Sequence, residues 1–103
     1  MPGVGIKVNM QARLLLRERL AIGENRFADL VIWQLPRGLR ASPHDYKYRL
    51  AFVVDEVCVL RFDNEAGKGD HKHIGDTEVA YDFVSPRQLV SDFWDEVGRW
   101  RPA

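Results

Sequence analysis

The chain has 103 residues, 46% of them hydrophobic and 29% charged. That balance suits one globular domain with a modest core and excludes a disordered or fibrous chain. No apolar run reaches the ~20 residues of a membrane helix, and no hydrophobic leader precedes a small-residue cleavage site, so no membrane partner is expected. The single cysteine, Cys58, excludes an internal disulfide framework.

The formal net charge is zero, but the two halves differ. Residues 1–54 carry nine Lys/Arg against four Asp/Glu, or +5, and residues 55–103 carry six against eleven, or −5. A balanced total argues against indiscriminate coating of nucleic acid, which leaves a basic surplus. It leaves room for a basic face on one side of the folded domain, and for an acidic remainder that meets a basic partner.

Residues 1–9 lack hydrophobic patterning and are expected to form a flexible extension, or an over-called start with Met10 as the true one. Residues 10–103 are expected to form one domain. Residues 13–21 are Leu-rich and interleaved with Arg17, Glu18 and Arg19, a pattern that fits strand or helix. Gly23, Glu24 and Asn25 turn the chain, and residues 27–35, β-branched and aromatic up to Pro36, predict a strand that closes a hairpin. A polar loop with Arg37, Arg40, Ser42 and His44 follows.

Residues 46–54 alternate: Tyr46, Tyr48, Leu50, Phe52 and Val54 on one face, Lys47, Arg49, Ala51 and Val53 on the other. Asp55 and Glu56 make a short turn, and residues 57–63 return as the partner strand. By period two, Cys58, Leu60 and Phe62 share the core face, where the cysteine packs, opposite Val59, Arg61 and Asp63. Arg61 interrupts an apolar strand and needs a partner, with Asp63, Glu65 and Asp82 the candidates. A further strand starts near His71 and turns at Gly75–Asp76, before a short run over 79–83. The last element is a helix: Ser85 is the N-cap, Pro86 the first helical residue, and Gln88 completes a Ser-x-x-Gln capping box. Leu89, Val90, Phe93, Trp94 and Val97 form its apolar stripe, opposite the solvated Asp92, Asp95 and Glu96, and Gly98 and Pro102 end it. The expected fold is α+β, a mostly antiparallel sheet of about five strands with one C-terminal helix across a face.

The stretch Gly67-Lys68-Gly69-Asp70-His71-Lys72-His73 concentrates the chemistry. Two histidines at i and i+2 project from one face of a strand, and imidazole exchanges protons near neutral pH. With Lys68 for phosphate charge and Arg61 nearby, the set supplies a base, an acid and cations, as cleavage of a phosphodiester without a metal requires. Gly67 and Gly69 permit a tight turn whose amides favour anions. The same residues are also ordinary turn chemistry followed by a solvated strand edge. A metal site is poorly supported, because His-x-His supplies two ligands and Asp70, Glu78 or His44 would join only through the fold. Tyr48 and Arg49 are secondary candidates for RNA stacking or backbone contacts; such residues are more often a packed sheet aromatic and a solvated strand residue.

The succession of Tyr46-Lys47-Tyr48-Arg49-Leu50-Ala51-Phe52-Val53-Val54-Asp55, Val59-Leu60-Arg61-Phe62-Asp63-Asn64-Glu65, the glycine–histidine segment, Phe83-Val84-Ser85 and Phe93-Trp94 resembles the TumE family of prokaryotic toxins. The resemblance covers about residues 10–97. It implies a cytoplasmic bacterial or archaeal toxin of a type II toxin–antitoxin pair, neutralised by an antitoxin that is usually a helix-turn-helix protein. It brings no catalytic residues with it. The expected architecture is loosely similar to that of RelE-type endoribonuclease toxins, from which the balanced charge departs.

The leading functional expectation is a metal-independent, cofactor-free endoribonuclease in which His71 and His73 share the acid and base roles, Lys68, Gly67 and Gly69 hold phosphate, and Arg61 stabilises the transition state. The alternative is a non-enzymatic toxin or regulatory module that acts by occupying its target. A third, group transfer to RNA or protein, predicts nucleotide dependence, although no complete P-loop is present. Neither Ser42, Ser85 nor Ser91 lies in a hydrolase elbow. An exposed edge strand leaves open a homodimer or strand addition by the antitoxin.

Overall fold

A computed structural model describes residues 12–36, 43–65 and 67–102. The expected extension at 1–9, and Arg37, Arg40 and Ser42 of the polar loop, lie outside the described residues. Six strands, β1 (Arg13–Gly23), β2 (Arg26–Gln34), β3 (Tyr46–Val54), β4 (Val57–Glu65), β5 (Gly69–Ile74) and β6 (Thr77–Ala80), form one antiparallel meander in chain order. Among the described residues one helix, α1 (Pro86–Arg99), crosses it over β3 and β4. The α+β expectation holds, with six strands where about five were expected. The added strand is β6, four residues held by the Gly75–Asp76 turn.

Tight turns set the register. Glu24–Asn25, Asp55–Glu56 and Gly75–Asp76 each join strands that pair up to the turn. Asp55 and Glu56 both take positive φ, 50° and 68°, as a two-residue hairpin with the strands' twist demands. Glycine fills that need freely at Gly75, whereas Glu56 meets it with a β-carbon in the way. The ambiguous 13–21 segment becomes β1, an edge strand that turns Leu16 toward the core and is exposed along most of its length.

The core lies between α1 and one face of the sheet. Ala28, Leu30, Ile32, Leu50, Phe52, Leu60 and Phe62 meet Leu89 and Phe93, all at most 2% exposed. Phe62 and Phe93 pack edge to face, their ring centres 5.9 Å apart. Cys58 departs from expectation. A bulge lets Phe52 pair with Leu60 but Val53 with Cys58, so the parity of β4 changes there. Val59 turns in to pack on the core, and Cys58 is exposed.

The helix keeps half of its predicted cap. The Ser85 hydroxyl accepts from the Gln88 amide, while the Gln88 side chain donates to Asp92 instead of reaching back. The helix also runs through Gly98 to Arg99, and the Trp100 amide closes it onto Glu96 and Val97. Asp92 and Glu96 are not merely solvated. Asp92 accepts from the Tyr81 hydroxyl and Glu96 from Lys72 at 2.7 Å, so the helix is tied to the far side of the sheet.

Candidate functional site

Antiparallel partners share a face, so the register shows what lies beside what. On the open face, away from α1, His73 stands between Arg61 on β4 and Glu78 on β6, and His71 between Asp63 on β4 and Ala80 on β6. Both imidazoles project from the same side, as their i and i+2 positions predict, and both are partly buried. Lys68 reaches in from the loop that precedes β5.

The contacts assign the protons. His71 Nδ1 lies 3.1 Å from the Gly69 carbonyl, which only accepts, so this nitrogen carries hydrogen. That leaves His71 Nε2 facing Glu78 Oε2 at 3.6 Å. His73 Nε2 lies 3.0 Å from Arg61 Nη2, which only donates, so this nitrogen is the acceptor and the ring is neutral. Asp63 and Glu78 stand 3.7 and 3.6 Å from the same nitrogen and would pair with it fully only if it took a proton. Arg61 Nε also lies 3.0 Å from Asp63 Oδ2, one of the expected partners, although the angle there falls short of a hydrogen bond. Lys68 Nζ is 3.8 Å from Glu78 Oε2.

Arg61, Lys68, His71 and His73 are therefore brought together. Gly67 and Gly69 flank Lys68 with φ of 79° and 92°, and no atom lies within 4 Å of where a β-carbon would stand. Both take the left-handed backbone that the turn needs, and the Lys68 amide between them donates to the Glu65 carbonyl and closes the hairpin. Arg49 is exposed on the same face as the histidines. Tyr48 is not. It points into the core side at 1% exposure, and no base can stack on it.

Tyr48 belongs to a second cluster beneath the sheet. Its hydroxyl donates to Asp70 Oδ1 at 2.7 Å, and His44 Nε2 reaches the same oxygen at 2.9 Å. The Tyr46 amide donates to His44 Nδ1, so Nε2 carries the imidazole hydrogen that Asp70 receives. Phe83 stacks on His44 with ring centres 3.9 Å apart. Burial, and then the bond to Asp70, push the Tyr48 hydroxyl's pKa upward and keep it a donor. Burial and Asp92 do the same for Tyr81. Asn64, 4% exposed, continues the β3–β4 ladder with its side chain, accepting from the Tyr48 amide and donating to the Tyr46 carbonyl.

The part that Glu78 and Asp63 play around the histidines did not emerge from the sequence. For Glu78 the signal was available: once Gly75–Asp76 is taken as a two-residue turn, counting back along the hairpin sets Glu78 opposite His73. Among the described residues, no group of three or more His, Cys, Asp and Glu side chains is arranged to hold a metal ion. No helix among them is long and apolar enough to cross a membrane. A concavity of roughly 600 Å³ lies at the far end, between the Glu24–Asn25 and Asp55–Glu56 turns, and none of the histidines lines it.

Fold and site thus define a small α+β protein, with a helix covering one face of an antiparallel sheet and, on the other, a cluster of His71, His73, Arg61 and Lys68 set among Asp63 and Glu78. Residues 6–101 match the family described as Toxin TumE, and the chain belongs to that family. It is a toxin family, and membership implies a cognate antitoxin. No curated protein and no solved structure matches the chain.

Proposed function

We propose that this toxin is an endoribonuclease that cleaves RNA with the His71–His73 pair. The observation that carries the reading is the convergence of two imidazoles in different hydrogen-bonding states with Arg61 and Lys68 on one open face. His73, neutral and with an acceptor nitrogen, is the base. It takes the proton of a ribose 2′-hydroxyl as that oxygen bonds to phosphorus. His71, held by the Gly69 carbonyl and facing a carboxylate, is suited to the protonated state and is the acid. Its Nε2 gives a proton to the departing 5′-oxygen as the phosphorus–oxygen bond breaks. The products are a 2′,3′-cyclic phosphate and a 5′-hydroxyl end.

Arg61 has two tasks in this scheme. Without substrate its guanidinium rests on His73 Nε2, and a phosphate draws it away, freeing the base and placing a cation on the charge of the transition state. Lys68 exchanges Glu78 for phosphate in the same way. The test is purified protein on a defined RNA, with both new ends identified chemically. Cyclic phosphate and 5′-hydroxyl ends, lost in His71→Ala and His73→Ala, support the reading. Cleavage that survives both substitutions in folded protein overturns it.

One observation favours a second reading, a toxin that binds without turnover. Asp63 and Glu78 already stand within 3.0–3.8 Å of the four basic groups, as a purely structural charge network would. Growth arrest that persists in the folded double histidine variant, with no new RNA ends, decides for it.

A further inference from the structure

We propose that single-stranded RNA lies across the strands of the open face, its phosphates held by Arg17 and Arg49 on the β1 side of the histidines. This deepens the endoribonuclease reading and rests on it. The register draws the path. Arg17 pairs with Val31, Val31 with Arg49, Arg49 with Asp63, and Asp63 with His71, so one straight row on one face leads from the edge strand to the acid. At the usual ~4.8 Å between strands, Arg17, Arg49 and His71 follow one another at roughly 10 Å intervals.

What distinguishes these two arginines is that nothing among the described residues uses their charge. Among the described residues neither makes a hydrogen bond, an ion pair or a ring contact. The other cations on this face are engaged: Arg61 with His73 and Asp63, Lys68 with Glu78, Lys47 with the Asn64 carbonyl, and Arg19 over the Phe27 ring at 4.2 Å. Arg17 and Arg49 line one small hollow together with Asp29 and Val31, so there is open space between them. Unpaired guanidiniums at spaced positions on an exposed surface are complementary to a phosphate backbone. The face is a sheet without a deep groove, and attack by a 2′-hydroxyl needs a nucleotide free to align its leaving group. Both favour a single strand over a duplex.

The experiment separates binding from cleavage. Anisotropy of a fluorescein-labelled 20-nucleotide single-stranded RNA is titrated with wild type, Arg17→Ala/Arg49→Ala and Arg17→Lys/Arg49→Lys, over a series of KCl concentrations. The alanine pair is expected to bind about 30-fold more weakly, with a salt slope smaller by about 1.4, or 0.7 per lost cation. The lysine pair should recover most of the affinity, and cleavage of a dinucleoside monophosphate, too short to reach the row, should be unchanged in all three. Equal RNA binding by wild type and the alanine pair overturns the proposal. So does loss of neutralisation by the antitoxin with RNA binding intact, which would assign the row to an acidic peptide. If wild type binds the RNA through these arginines yet cleaves neither substrate, the row stands as an RNA contact and the nuclease reading falls.

Discussion

Strand β5 divides the molecule's polar chemistry into two clusters that differ in what they are built to do. Asp70 and Lys72 point beneath the sheet, where short bonds at 2.7–2.9 Å tie them to Tyr48, His44 and Glu96. His71 and His73, their immediate neighbours in sequence, point to the open side, where only two of their polar contacts are near 3 Å and the carboxylates stand 3.6–3.7 Å away. The inner cluster is closely paired: each donor has a part-buried carboxylate acceptor, and rearrangement would leave a polar group unpaired. The outer cluster holds its partners loosely enough to exchange them for a substrate. Alternation along a single strand thus separates groups that hold the fold from groups that can react.

The sharpest way to break that comparison is to substitute on both sides. On the open side, His71→Ala and His73→Ala should each lower RNA cleavage by about 10²–10⁴-fold while the melting temperature barely moves. Beneath the sheet, Asp70→Ala should act in the reverse sense. It orphans the Tyr48 hydroxyl and the His44 N–H together, at a cost of about 2–4 kcal/mol read by denaturant unfolding, with cleavage retained in the fraction still folded. Asp70→Asn sharpens the point. Both bonds use the same oxygen, Oδ1, and an amide keeps that acceptor, so most of the loss should be recovered. If Asp70→Asn removed cleavage at full stability, the division between the clusters would be wrong.

The sequence made the alternation legible but not its completion. That His71 and His73 share a face follows from period two, and so does the segregation of Arg49 from Leu50 and Phe52. The same rule misassigned Cys58, because a single bulge resets parity and leaves no trace in residue types. Period two also sets Tyr48 beside Leu50 and Phe52, but the partner its hydroxyl finds there, Asp70, lies 22 residues away and could not be named. His44 is a similar case, joined to Asp70 across 26 residues. Contacts made inside a two-residue hairpin can be counted from the turn; contacts through the core cannot.

Acid gives a gentler probe of the inner cluster. The hydrogen bond from Lys72, opposed in part by burial and aided by Lys72's charge and by Arg99, holds the Glu96 carboxyl below its ordinary value of 4.5. A depressed carboxylate contributes stability that is whole above that ordinary value and fades as pH falls through the lower, folded one. Stability measured by urea unfolding should therefore fall as pH drops below about 4.5, and Lys72→Met should flatten that acid limb. An unchanged acid limb in Lys72→Met would mean that Lys72 does not tie the helix to β5 through Glu96.

The smallest expected effect supplies the reference that both clusters lack. Glu56 sits at the Asp55–Glu56 turn with φ of 68°, a conformation that Gly75 adopts at 61° without penalty in the β5–β6 turn. Its carboxyl serves neither cluster. Glu56→Gly relieves the left-handed backbone, worth about 1–2 kcal/mol, and gives back about 0.5–1 kcal/mol through the freer unfolded chain. A net gain of about 0.5 kcal/mol should appear as a rise of about 2–4 °C in Tm, with RNA cleavage and its pH profile unmoved. In that background the Asp70→Ala loss should be the same size as in the wild type, since the two sites share no partner. Non-additivity would show that strain at the turn reaches the inner cluster through β4, and that the fold-holding side of β5 extends further than its own hydrogen bonds.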